Sequence, residues 1–424
     1  MLEIHLLRDN PEAVISALNK RGVDYGEKVH AALELDAKRR KLQSETDELL
    51  SGLNAKSKEI GAMMQRGDRD AAERAKQEVA EVKSRSQEMK RQLGELEDAL
   101  RDLLYQIPNA PHESVPEGKS DEDNIEVERS DRRVELDADA LPHWELAEKL
   151  GLIDFPLGVK ITGAGFPVYT GKGAKLQRAL ISYFLDEAEK AGYHEIIPPL
   201  MVNEASGIGT GQLPDKEGQM YHVTADDLYL IPTCEVPITN VYRDVILKAE
   251  DLPKKHCGYT PCFRREAGSY GKDVRGLNRL HQFDKVEIVQ IVHPDKSDEA
   301  LEEMIAHVRS LLENLELPYR LLRLCGGDLG VAAAVTYDFE VYSAAQEKWL
   351  EVSSVSNFGT YQSNRLKSRF RDADNRTVLT HTLNGSALAL PRIMAALLEN
   401  NQKNGELMIP RVLQPYTRFI SIAL

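Results

Sequence analysis

Between residues 75 and 107 a single narrow stripe runs along the chain in alternating steps of four and three. Its members are Ala75, Val79, Val82, Ser86, Met89, Leu93, Leu96, Leu100, Leu103 and Ile107, and only Ser86 is not apolar. That period keeps one seam of a helix against a partner helix, as a coiled coil requires. A partner stands just upstream, where Leu35, Leu42 and Leu49 recur every seven residues and Leu53 and Ile60 follow. Gln65-Arg66-Gly67-Asp68 between them supplies a reversal. The pattern predicts an antiparallel helical hairpin whose second helix is about 50 Å long. Such a hairpin is too thin to bury a conventional core, so it is expected to project from a body. A shorter helix precedes it, capped by Asn10, with Pro11 and Glu12 in its first turn and Val14, Ile15 and Leu18 on one face.

Pro108, Pro111 and Pro116 end the second helix. The polar, proline-spaced stretch after it reads as a linker. From about residue 120 the pattern turns to mixed strands and helices. An amphipathic helix is expected over 173–193, strands at DLYLIPT, FDKVEIVQIV, YDFEVY and KWLEVSS, and a last helix at LPRIMAALLENNQ. Strands without regular helical crossovers predict an antiparallel sheet, hence an α+β fold. A chain of 424 residues exceeds one core. The division expected is 1–110 for the N-terminal domain with the hairpin, 111–135 for the linker, and 136–424 for the α+β domain. Neither GxGxxG nor a P-loop is present.

The net charge of −14 argues against a nucleic-acid surface spread over the whole chain. Residues 30–107, however, hold 15 Lys and Arg against 16 Asp and Glu, so nearly all the negative excess lies elsewhere. RNA contact is therefore to be sought first on the hairpin, whose polar faces carry Lys38, Arg39, Arg40, Lys41, Lys56, Lys58, Arg74, Lys83, Arg85, Lys90 and Arg91. A solvated outer face is the plain alternative for such charges. No apolar stretch is long enough to span a bilayer, and the first residues do not read as a secretion signal. Cys234, Cys257, Cys262 and Cys325 form no CxxC pair, which suits reduced thiols in a cytoplasmic protein and offers no zinc site.

The densest chemistry lies in CFRREAGSYGKDVRGLNRLHQFDKVEIV, residues 262–289. Arg264, Arg265 and Glu266 stand together. A loop with Gly268, Gly271, Lys272, Arg275, Gly276 and Arg279 follows, and then His281, Phe283, Lys285 and Glu287 alternate at period two. This is a strand–loop–strand unit with cations gathered at the loop. Arginine forks suit phosphate oxygens, and Phe283 offers a flat face for a base.

Phe263-Arg264-Arg265-Glu266 with GLNRLHQF behind it resembles motif 2 of class II aminoacyl-tRNA synthetases, and the full wording resembles the seryl enzymes of bacterial type. Residues 192–204, with Pro198-Pro199, resemble motif 1. Residues 382–401, with Arg392 closing the match, resemble motif 3, with Ala387 and Pro391 where the family often has glycine. Thr233-Cys234-Glu235 resembles the family's serine-binding Thr-x-Glu element, and the N-terminal hairpin resembles its tRNA-binding arm.

The resemblance implies a class II catalytic domain, built on an antiparallel sheet flanked by helices, that activates L-serine with ATP and charges tRNA(Ser), with tRNA(Sec) a further candidate. Catalysis would fall to Arg264, Glu266 and Arg392. Serine would be held by Thr233, Glu235, Arg264, Glu287, Asn384 and Ser386. ATP would meet Arg264, Arg265, Glu266, Arg279, Leu280, Phe283, Glu351, Val352, Ser353, Ser354 and Arg392. Phe283 and Arg392 would sandwich the adenine, and Glu351 with Ser354 would hold Mg²⁺. A homodimer is implied, with no membrane partner. Cys234 reads as a packing residue and His281 as a structural hydrogen-bonder. Two alternatives stay open on sequence: a synthetase-like ligase for a carrier protein or another amino acid, and a non-catalytic coiled-coil interaction protein.

Overall fold

The computed structural model describes residues 1–136, 139–215, 218–266 and 275–423. Gly268, Gly271 and Lys272 of the cation-rich loop lie outside them. The chain divides into two compact units, residues 2–19 with 23–108, and residue 1 with 20–22 and 109–424.

In the smaller unit, helices α1 (Gly26–Gln65) and α2 (Arg69–Leu104) run antiparallel against each other. The chain reverses through Arg66–Asp68, where Gly67 takes a φ of 80° and the Asp68 carboxylate caps α2 by accepting from the Ala71 amide at 3.2 Å. Every member of the stripe from Ala75 to Ile107 is buried or half-buried. Part of the expected basic face is committed internally. Arg8, Arg39 and Arg40 converge on Asp36, whose side chain is wholly buried. Lys56 pairs with Glu78, and Arg91 with Glu88 and Glu95. Lys38, Lys41, Lys58, Lys83, Arg85 and Lys90 remain exposed along the helices.

The larger unit is built on an eight-stranded sheet. Its strands are β1 (Ile125–Arg129), β2 (His194–Glu195), β3 (Lys254–Phe263), β4 (Gln282–Val292), β5 (Tyr319–Arg323), β6 (Val335–Ser343), β7 (Lys348–Asn357) and β8 (His381–Ala389). Their spatial order is β1-β5-β6-β7-β8-β4-β3-β2, antiparallel throughout except for β2 against β3. The other helices needed below are α3 (His143–Lys149), α4 (Gly171–Lys190), α5 (Glu235–Asn240), α6 (Ser297–Asn314) and α7 (Leu390–Asn400). Apolar residues of α4, α6 and α7 form the main core with Val286, Ile288, Val292, Leu383 and Val355 of the strands. Strand alternation then sends Lys285 and Glu287 to the opposite face. There α5 packs Ile238 against Val289 and Ile291.

The stretch expected as a linker, 111–135, is corrected by the sheet. Ile125–Arg129 is its edge strand, paired with Tyr319–Arg323. Arg309 also holds Glu128 at 2.7 Å, a contact from α6 that short-range patterning does not reveal.

Candidate active site

At one end of the polar face the chain gathers buried acids. Thr233 precedes α5, and its hydroxyl donates to Glu287 at 3.2 Å while accepting from the Glu235 amide at 3.2 Å and from Lys285 Nζ at 2.9 Å. Lys285 also forms an ion pair with Glu287, which is only 1% exposed. Gln362 donates to Glu235 at 2.6 Å. In register, Glu287 faces Ser386 and Val289 faces Asn384 across the β4–β8 ladder. Thr233, Glu235, Glu287, Asn384 and Ser386 are thus brought together from three chain segments. Burial first, and the charge of Glu287 second, push the Glu235 carboxyl up to about 7, against the pull of Gln362, Lys285 and Asn384. Burial also raises Glu287, opposed by Lys285. Two acids on one fixed cation leave room for a second, so the pocket suits an ammonium.

The other end is rich in guanidinium groups. Strands β3 and β4 form the motif 2 hairpin, with Phe263 opposite Gln282 and Cys262 opposite Phe283. Arg264 caps the ladder through its amide to His281 O at 2.9 Å. Its Nε reaches Pro232 O at 3.4 Å, and its guanidinium lies 5.2 Å from the Phe283 ring centre. The Arg265 amide donates to Gln219 O at 2.8 Å. Glu266 accepts from Arg279 at 3.0 Å. Arg392, in the first turn of α7, donates to Asn278 O at 3.1 Å and Glu351 O at 2.7 Å, and its guanidinium is 3.5 Å from the Glu351 carboxylate. Contacts therefore run unbroken from Glu351 through Arg392 to residues 278–279 and on to Glu266, with Arg264 adjoining. Leu280 is buried in the main core, so it offers its backbone. Val352 is also in that core, and Ser353 donates to Ser386 O at 2.6 Å.

Ser354 faces Asp338 across the β6–β7 ladder, near Glu351. Asp338 Oδ1 is buried without a hydrogen-bond partner. Its own burial, and then the charge of Glu351, hold Asp338 well above the ordinary carboxylate range. An orphaned carboxylate oxygen beside a second carboxylate and a hydroxyl is a donor set for a hard cation, and it fits Mg²⁺. Among the described residues no cluster of three or more His, Cys, Asp or Glu is placed to hold a metal. A cation here would share its ligands with phosphate, as Mg²⁺ commonly does.

Three participants carried no assigned role in the sequence. Lys285 stood in the period-two run of β4, a position that marks its face but not its partners. Asp338 and Gln362 gave no local signal, because their meaning comes from strands and helices distant in the chain. Cys234 is buried, and burial raises its thiol well above the usual range, consistent with packing and not nucleophilic use. His281 bonds Tyr221 at 2.9 Å and stacks on Phe166, a structural role.

An antiparallel sheet that presents a motif 2 hairpin and a motif 3 helix-borne arginine to one face defines the class II aminoacyl-tRNA synthetases. Residues 221–401 match the family model for the tRNA synthetase class II core domain (G, H, P, S and T). Residues 1–111 match that for the seryl-tRNA synthetase N-terminal domain. The serine–tRNA ligase of Salinibacter ruber is 49% identical over 100% of this chain and 99% of its own length. That of Chlorobium phaeovibrioides is 48% identical over 100% and 99%. A solved structure of seryl-tRNA synthetase from Pyrococcus horikoshii complexed with ATP superposes with a TM-score of 0.92 at 36% identity, covering 100% of this chain and 99% of that one. The chain belongs to the seryl-tRNA synthetase family.

Proposed function

We propose that the chain activates L-serine with ATP to seryl-adenylate and transfers the seryl group to tRNA(Ser). The observation that carries this is the position of Arg264. It stands between the two ends of the site, touching the carbonyl next to Thr233 on one side and covering Phe283 on the other.

Serine's ammonium is matched by Glu235 and Glu287, where it competes with Lys285 for Thr233 and Glu287. Its hydroxyl falls to the polar groups around Asn384 and Ser386. Its carboxylate is already ionised near neutral pH, so attack on the α-phosphorus needs placement and charge neutralisation instead of a general base. Arg264 supplies both to the carboxylate and the α-phosphate. Glu266, Leu280, Phe283 and Arg392 hold the adenine, and Arg279 follows the leaving pyrophosphate. Glu351 and Ser354, with Asp338 beside them, would hold Mg²⁺, which supplies charge neutralisation on the phosphates.

Residues 1–110 serve as the tRNA-binding domain. The exposed lysines and arginine of the hairpin contact tRNA phosphates, and Lys56 and Arg91, paired at the surface, can exchange partners because exposed ion pairs are worth only ~0.2–1 kcal/mol. The catalytic domain takes in β1, so it begins before residue 125. The working unit is a homodimer built on motif 1. Strand β2 is an edge of the sheet, and Ile197 beside it is 85% exposed. No helix among the described residues is long and apolar enough to cross a membrane. A cytoplasmic location is proposed from the family resemblance. A carrier-protein ligase or a non-catalytic coiled coil is not favoured, since both ends of the chain match the family and the arginines and acids of the site are present.

Serine-dependent ATP–pyrophosphate exchange, measured beside threonine, alanine and glycine, tests the reading. Serine should exceed alanine in kcat/KM by roughly 10⁴-fold, the scale of a site that reads a hydroxyl. Faster exchange with any of the others would overturn it.

A pH dependence follows from Glu235. Its folded pKa lies above the ordinary carboxylate value, so the folded state keeps a proton the unfolded state has lost. Stability from this group is full below about pH 4.5 and declines as pH rises toward about 7, by about 3 kcal/mol at most. Serine's ammonium needs the ionised form, so kcat/KM for serine should rise with pH and level off above about 7. Glu235→Gln should flatten the profile. An unchanged slope in that variant would remove Glu235 from ammonium binding.

A further inference from the structure

Helix α3 lies outside every motif assigned above, yet it reaches the nucleotide end of the site. His143 and Glu399 are both fully buried. The Glu399 carboxylate accepts from the His143 amide at 3.0 Å, from His143 Nδ1 at 2.7 Å, from Gln346 at 2.8 Å, and from Ser343. Burial works to raise this carboxyl, but the bonds from His143 and Ser343 outweigh it and leave it below the ordinary range. An anion on Nδ1 fixes that nitrogen as the donor, so Nε2 is free to accept. It accepts from the Leu277 amide at 2.8 Å. Gly276 makes this approach possible: it takes a φ of 66°, and a Cβ there would stand 2.2 Å from His143 Nε2. Gln346 extends the same support by accepting from the Asn278 side chain at 2.9 Å, and the Asn278 carbonyl holds Arg392 Nε at 3.1 Å. The adjacent Trp144 lies beneath the Arg275 guanidinium, 5.0 Å from it.

We infer that His143 is a positioning residue for ATP: oriented by Glu399, it anchors the stem of the motif 2 loop at Leu277 and so sets the place of Arg279 and Arg392. This rests on the functional reading above. It touches no reacting atom and has no part in the serine pocket, so its effect should fall on ATP alone.

Two amide variants separate the halves of the dyad. His143→Gln places an acceptor where Nε2 was and keeps the Leu277 bond. His143→Asn places a donor where Nδ1 was, keeps Glu399 and loses Leu277. His143→Asn should raise KM for ATP by about tenfold and leave KM for serine within about twofold, while His143→Gln stays near wild type. Gln346→Ala, at a half-buried position, should raise KM for ATP by about threefold through Asn278. Amide hydrogen exchange gives a readout independent of activity: exchange at Leu277 should accelerate in His143→Asn and not in His143→Gln. Equal behaviour of the two amides, or parallel rises in both KM values, would overturn the inference. A wild-type protein without serine-dependent exchange would instead sink the functional reading, and the Leu277 amide would still decide this one.

Discussion

Replacing Arg264 by alanine should lower serine-dependent pyrophosphate exchange by about 10³-fold or more, the scale seen when a group stabilising developing charge is removed from a closed site. In the proposed reading three functions fall on this side chain: neutralising the serine carboxylate, neutralising the α-phosphate, and fixing their mutual approach. Loss should therefore appear in kcat and in KM for serine together. Arg264→Lys keeps the charge but not the planar fork, and should recover only part of the rate. The fold should survive, because Arg264 is exposed at the loop end of the β3–β4 ladder and, among the described residues, its side chain makes one weak hydrogen bond, to Pro232 O at 3.4 Å. Steady-state exchange and a thermal melt on the same preparation check this. Exchange within tenfold of wild type would mean that the two ends of the site do not act on one reaction.

Removing the hairpin should separate the two half-reactions. Deletion of residues 35–105, closed by a short glycine-containing turn, should abolish aminoacylation of tRNA(Ser) while leaving pyrophosphate exchange within about threefold of wild type. The proposed serine and ATP residues all lie between Thr233 and Arg392, and the sheet that presents them is formed entirely from residues 125–389. The lost term is largely electrostatic, so aminoacylation by the intact protein should weaken steeply with added salt while exchange changes little. Equal loss of both activities on deletion would show that the hairpin serves the catalytic unit's integrity instead of RNA. Intact aminoacylation would remove it from tRNA binding altogether.

Much of this was legible in residue order because two kinds of signal are local. The four–three stripe is a property of consecutive helical turns, and it named the α1–α2 seam down to Ser86 and Met89. Period-two alternation placed Phe283, Lys285 and Glu287 on one strand face, and motif wording assigned most of the site. Departures came where a neighbour distant in sequence decides a residue's state. Arg39 and Arg40 stand within one helical turn of Asp36, but only the fold buries that carboxylate and brings Arg8 to it. Val352 lies in the core with Leu350 while Glu351 between them is exposed, a placement that the motif wording did not state.

Order alone determined the helical hairpin, the α+β class, the motif 2 arginines and the family those motifs imply, since backbone period and short spacings are written in consecutive residues. Only tertiary structure decided that residues 125–129 close the sheet edge, that Lys285 already occupies the acid pocket, that Asp338 leaves an oxygen without a partner, and that His143 holds Leu277. Burial and electrostatic partnership depend on what lies across space, and the Thr233 that meets Lys285 and the Leu277 that meets His143 stand far away in the chain.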